Sequence, residues 1–242
     1  MSQYWIVTGA NRGIGLALVK QLAVRNDIVV LATVRDPSKV GDLATITAQN
    51  RNVHIIPLRV DVPQDAKQAA TEIAKITDHI DVVIANAGIA YDWNRLENVD
   101  VEVAREHLNV NTLGTLSLFQ AVLPLLRKAD HPKFVPITTE VASITRPVPY
   151  PVSAVGLSKI GANFIAQRIH VEHSKEGIIA FPINPGGVKT DIGALAAPTA
   201  FGIEEFQMEP AESAAGVLAV IDKANEETSG KFWSYDGREI PW

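Results

Sequence analysis

The segment "TGANRGIG", residues 8–15, spaces Gly9, Gly13 and Gly15 so that they could cradle a phosphate. Glycines permit a tight turn and let a pyrophosphate approach the backbone. A helix starting beneath them adds free N–H groups and a favourable dipole. The spacing is Gly-x3-Gly-x-Gly, not the Gly-x-Gly-x2-Gly of the commonest dinucleotide fingerprint, and a tight packing turn would use the same residues. Placement decides: the turn follows the apolar run "YWIVT" and precedes an amphipathic segment, which favours nucleotide binding. The second apolar run ends in "VRDPSK", with Arg35 where cofactor choice is read and Asp36 just beyond. An acidic residue there would hold the adenosine ribose, whereas a guanidinium clamps a 2′-phosphate. Arg35, with Arg12 inside the turn, favours NADP(H) over NAD(H). A solvated Arg35, or a ribose bound by Asp36, is the opposing reading.

Other chemistries are poorly supplied. The chain has no cysteine, which excludes disulfides, thiolate nucleophiles and cysteine-based zinc sites together. The six histidines (54, 79, 107, 131, 170 and 173) show no metal-ligand spacing, and His170 and His173 read as surface residues. Ser158 has no paired His and Asp in a recognisable motif, which argues against a hydrolase triad. A net charge of -5 and the lack of any Lys/Arg run argue against nucleic acid or a membrane surface as partner. No apolar stretch approaches the roughly 18 residues of a membrane span. The first apolar run, at Tyr4, lacks the flanks of a signal peptide, so the expected location is cytoplasmic.

Apolar runs of strand length alternate with amphipathic segments of helix length. The strand candidates are 4–8, 28–33, 53–58, 81–85, 133–138, 178–183 and 231–235. Most are rich in Val and Ile without polar alternation, as in strands buried on both faces. Helices are expected near 13–25, 64–77, 101–128, 153–173 and 210–224, with a further one near 38–48. This alternation predicts an α/β fold: a doubly wound, Rossmann-type parallel sheet of about seven strands with helices on both faces. With 242 residues and no linker, the chain reads as a single domain over 1–242. The stretch 184–209 has no expected element.

The motifs, taken in order, resemble the short-chain dehydrogenase/reductase family across essentially the whole chain. "TGANRGIG" resembles its cofactor turn, Asp61–Val62 its adenine cap and "ANAG" (85–88) its "NNAG" motif. "NVNTLG" (109–114) carries Asn111, "SK" (158–159) gives the family lysine, and "NPGGVKTD" (184–191) resembles the Pro-Gly motif. The tail "GKFWSYDGREIPW" is similar to the C-factor and norsolorinic acid ketoreductase-like branch. The resemblance implies cofactor contacts from Gly9, Asn11, Arg12, Gly13, Ile14, Gly15, Arg35, Asp61, Val62, Asn86, Ala87, Gly88, Lys159, Pro185, Gly186, Val188 and Thr190. It also implies a substrate lid near 190–209, a small hydrophobic substrate, and a homodimer or homotetramer built on the long helices.

By the same resemblance, hydride passes between the nicotinamide and a carbonyl carbon while a tyrosine protonates the oxygen. Lys159 matches the lysine that tunes the tyrosine, Asn111 the relay residue, and Thr139 the usual serine. The tyrosine slot, fixed by the spacing from Thr139 and to Lys159, holds Val155, which has no proton to donate. Three substitutes present themselves: Tyr150 from the loop entering the helix, Glu140 beside Thr139, or a water held by Thr139 and Lys159. Packing between prolines is the favoured reading of Tyr150, whereas Glu140 could equally be an outward-facing carboxylate. Tyr91, Asp92 and Trp93 are expected on the substrate side. Three functions remain open at this point: an NADP(H)-dependent carbonyl reductase with an atypical proton donor, a non-redox catalyst on the same scaffold (cyclase, isomerase, dehydratase or aldolase type), and an inactive cofactor-binding subunit.

Overall fold

The computed structural model describes residues 2–242. Six strands, β1 (Gln3–Thr8), β2 (Ile28–Val34), β3 (Val53–Pro57), β4 (Val82–Ala85), β5 (Lys133–Pro136) and β6 (Ile179–Ala180), form one sheet in the order β3-β2-β1-β4-β5-β6. Every neighbouring pair is parallel. The chain builds outward from β1 to β3, then returns to β4 and builds the other way. The C-terminal ends of β1 and β4 therefore flank the point where strand order reverses, which opens a crevice in such sheets.

Successive side chains of a strand point to opposite faces, and the two cores follow that rule. Trp5 and Val7 pack on one face against α1 (Gly13–Ala23), α2 (Leu43–Gln49) and α8 (Pro210–Lys223). Ile6 lies between them and packs on the other face, with α3 (Pro63–Ile73), α5 (Gly114–Leu126) and α6 (Ser153–His173). Both faces are covered, which is why the strands carry Val and Ile without alternation.

Three expectations need correction. The run 178–183 is not one strand: it gives β6 and then β7 (Ile183–Asn184), parted at Phe181–Pro182 because proline has no N–H for the ladder. Residues 231–235, expected as a seventh strand, form β8 (Phe232–Ser234) in a separate sheet with β7 and an unforeseen β9 (Glu239–Ile240). The parallel sheet thus has six strands. The stretch 184–209 is not structureless, because it holds the short helix α7 (Asp191–Ala196), extended by a π-helical turn to Phe201. Thr190 caps α7, its hydroxyl accepting from the Gly193 N–H at 3.0 Å.

The long helix expected over 101–128 is continuous but irregular. α4 (Val101–His107) passes into α5 through a π-helical turn, Leu108–Leu113, which carries Asn111. Among the described residues no helix is long and apolar enough to cross a membrane.

Candidate active site

The glycine turn joins β1 to α1 at the mouth of the crevice. A Cβ on Gly15 would lie 2.2 Å from the Gly9 carbonyl oxygen and 2.6 Å from Asn86 Nδ2, so only glycine fits there. Asn86 Nδ2 donates to the Thr8 carbonyl at 2.8 Å and more weakly to that of Gly9 at 3.4 Å. The Ala87 N–H donates to Thr8 Oγ1 at 2.8 Å. Gly13 rests against the methyl of Thr190, and Ile14 packs into the core beneath the turn. Asn11 Nδ2 donates to the Lys39 carbonyl at 3.2 Å, linking this turn to the one that follows β2. Asp61 and Val62 lie at the start of α3, Val62 in the N-cap position. On the far wall Pro185, Gly186 and Val188 follow β7. The Pro185 carbonyl is held by Ser213 Oγ at 2.7 Å, and the Gly186 N–H donates to Asn184 Oδ1 at 3.3 Å.

The charges at the end of β2 are sorted. Asp36 Oδ1 accepts from the Ser38 N–H at 2.9 Å and from Ser38 Oγ at 2.7 Å, and these bonds hold its carboxyl below the usual range. Lys39 also pairs with it at 3.7 Å. Arg35 is exposed, and no ion pair among the described residues engages it. Arg12 pairs across the crevice with Asp191 at the start of α7.

Deeper in the crevice, Lys159 reaches from α6 to donate from Nζ to the Ile137 carbonyl at 2.7 Å. Asn111 is buried and spans the Ile89 peptide. Its Nδ2 donates to the Ile89 carbonyl at 2.9 Å, and its Oδ1 accepts the Ile89 N–H at 2.9 Å. Nδ2 also reaches Ser158 Oγ at 2.9 Å, which in turn donates to the Val155 carbonyl at 2.9 Å. A Cβ on Gly88 would lie 2.9 Å from Asn111 Oδ1 and 3.1 Å from Lys159 Nζ, so the bare Gly88 backbone lies beside both. Thr139 stands half-buried just beyond β5, its Oγ1 accepting weakly from the Val141 N–H at 3.5 Å. That leaves its own proton free to donate.

Val155 is buried in an apolar cluster with Ala90, Val152 and Ala200, flanked by Trp93, Val141, Val148 and Phe201. Ala200 and Phe201 come from the π-helical turn after α7, so the segment 190–209 closes over Val155. Tyr150 is partly exposed, its ring against Phe201 at 4.7 Å. Glu140 has both oxygens engaged, with Arg146 at 3.2 Å and Arg238 at 3.6 Å. The Tyr91 hydroxyl bonds the Glu106 carboxylate, which pushes the phenol up to about 12, and its ring meets His107 at 4.6 Å. Sequence reasoning missed His107, which is fully buried, with Nδ1 2.8 Å from the Val103 carbonyl. It also misplaced His170 and His173: both are half-buried, bonded to Ser229 and Glu176 respectively.

A family model for the short chain dehydrogenases matches residues 3–199. The chain belongs to that family. It is 35% identical to an oxidoreductase of Schizosaccharomyces pombe, covering 100% of this chain and 98% of that one. It is also 35% identical to a norsolorinic acid ketoreductase of Dothistroma septosporum, over 98% of this chain and 92% of that protein. Among solved structures, the NADPH-bound carbonyl reductase from chicken fatty liver superposes with a TM-score of 0.88 at 28% identity, covering 100% of this chain and 99% of its own. These likenesses make the protein a short-chain dehydrogenase family oxidoreductase with a nicotinamide cofactor. The glycine cradle and the bare backbone at Gly88 fit such a group.

In this short-chain dehydrogenase, burial pushes Lys159 down to about 8 from the ordinary 10.5. Between those values the unfolded chain holds the proton and the folded chain has released it, so the folded state gains stability as pH rises. Below pH 8 both states are charged, and the cost of burying the ammonium is present in full. Compared with Lys159→Met, which cannot titrate, the native protein should therefore gain stability between pH 8 and 10.5. Urea unfolding midpoints measured across that window check it; a constant difference would show an unperturbed lysine.

Proposed function

We propose that the protein is an NADP(H)-dependent carbonyl reductase acting on a hydrophobic ketone or aldehyde, with Lys159 as the source of the proton. The observation that carries this reading is the convergence of Lys159, Asn111 and the Gly88 backbone at the strand-order reversal, with Thr139 beyond the adjoining strand end. NADPH, when bound, supplies hydride to the carbonyl carbon. The glycine turn holds its phosphates, and Arg35, with Asp36 already engaged by Ser38, meets the 2′-phosphate. Thr139 has a hydroxyl proton to offer the carbonyl oxygen. Val155 cannot protonate that oxygen as it gains charge, but an ammonium that titrates near 8 is well matched to the task at neutral pH. Its proton reaches the oxygen through the Thr139 hydroxyl or a water between them. Asn111 fixes Ile89 and, through Ser158, the start of the helix bearing Lys159. The apolar cluster around Val155 favours a hydrophobic substrate, and the exposed apolar side chains of α6, Leu157 and Phe164, fit pairing with a second copy.

Deuteride transfer tests the reaction. With NADPH deuterated at nicotinamide C4, an aryl ketone should return an alcohol carrying deuterium at the carbinol carbon. Val155→Tyr should accelerate this about a hundredfold by restoring a phenolic donor. Product without deuterium would sink the reductase reading in favour of non-redox chemistry.

Cofactor choice is tested separately. Arg35→Ala should weaken NADPH binding about tenfold or more, the loss of a charge-assisted phosphate contact, and leave NADH within about twofold. Equal effects on both cofactors, read by calorimetric titration, would remove Arg35 from the phosphate.

A further inference from the structure

Two consecutive residues in the loop after β4 each hold a buried polar atom with no partner in the protein: Asp92 Oδ2 and Trp93 Nε1. The other Asp92 oxygen accepts from Asn94 Nδ2 at 2.6 Å, so the carboxylate is anchored and one oxygen is left over. The Trp93 indole lies against the apolar cluster of Ala90, Val152, Val155 and Ala200. The other apolar members of that wall are Val141, Val148 and Phe201, so among these eight side chains the indole N–H is the one polar atom.

Buried polar groups without partners are rare in native proteins, and each one needs a reason. The two here need opposite halves of a hydrogen bond, since an indole N–H only donates and an ionised carboxylate only accepts. A hydroxyl group supplies both. We propose that this loop selects carbonyl substrates that also bear a hydroxyl: Trp93 Nε1 donates to an oxygen of the substrate and Asp92 Oδ2 accepts a hydroxyl proton. The carbon skeleton takes the place of Ala200 and Phe201 against Val155. Trp93 is then a specificity-determining residue of the carbonyl reductase proposed above, on which this inference builds. Rejection of a substrate lacking the polar group follows from physics, because the site's own polar atoms are left unpaired when it binds.

A matched pair of ketones, 2-acetylnaphthalene and its 6-hydroxy derivative, makes the test. The native protein should prefer the hydroxylated ketone about tenfold or more in kcat/KM. Trp93→Phe, which keeps an aromatic ring and removes the N–H, should bring that ratio to within about twofold of unity. A ratio near one in the native protein, or one that Trp93→Phe leaves unchanged, overturns the proposal. Should Trp93→Phe not fold, Asp92→Asn carries the same comparison. Calorimetric titration of both ketones into the NADP(H)-loaded protein separates this inference from the reaction itself. A Trp93-dependent binding preference without deuteride transfer defeats the reductase and leaves the selectivity standing. Deuteride transfer without that preference does the reverse, and no preference in either assay defeats the selectivity.

Discussion

Thr8 and Asn86 tie the C-terminal ends of β1 and β4 together, through Thr8 Oγ1 to the Ala87 N–H and Asn86 Nδ2 to the Thr8 carbonyl. These strands sit side by side where the sheet changes direction, so the chain leaving each departs on its own course and the space between stays open. The tie keeps both exits in register. On one side it presses the Asn86 amide into the space that the missing Cβ of Gly15 vacates, which shapes the glycine turn. On the other it carries the chain to Gly88 and Ile89, where Asn111 and Lys159 close in. The glycine-turn end and the Lys159 end of the crevice are therefore held by one set of bonds.

Valine at 155 changes more than the inventory of donors. An isopropyl group offers nothing to solvate a neighbouring charge, and it lets Ala200 and Phe201 settle onto the wall. The wall beside the start of α6 is therefore apolar, and burial away from water disfavours a charged side chain such as the Lys159 ammonium. Val155 supplies no donor, and it is burial of Lys159 itself that holds the ammonium down at about 8. An acid that titrates near the working pH transfers protons well. In the reductase proposed above, Lys159 would be that acid.

The strands of the large sheet were legible because burial on both faces demands unbroken Val and Ile, and that pattern survives in any one sequence. The glycine turn and the "ANAG" motif were legible because backbone crowding admits only small residues. The break at Pro182 was readable in principle, since a residue without an N–H cannot sit inside a ladder, but the apolar run on either side concealed it. α7 was not readable: its six residues are too few for a periodic pattern, and its stability comes from the Thr190 cap and tertiary packing. The burial of His107 and the unpaired atoms of Asp92 and Trp93 had no sequence signal at all. Whether a polar atom finds a partner depends on residues brought to it from distant segments.

The loop that carries Thr139 illustrates the same dependence. Its own structure is one turn of 3-10 helix, Glu140–Ala142, too short to hold a hydroxyl in place unaided. It is braced from the far end of the chain. Ser143 Oγ donates to the Pro241 carbonyl at 2.6 Å, the Thr145 N–H donates to the Trp242 carbonyl at 2.7 Å, and Arg238 joins Arg146 on Glu140. Trp242 stacks on the buried Phe232 of β8, so the brace is itself fixed to a core residue. Glu140, with a guanidinium on each oxygen, serves this brace. The loop that carries Thr139 is thus held on one side by β5 and on the other by a segment nearly a hundred residues later, so its backbone position depends on the far end of the chain as much as on its own turn.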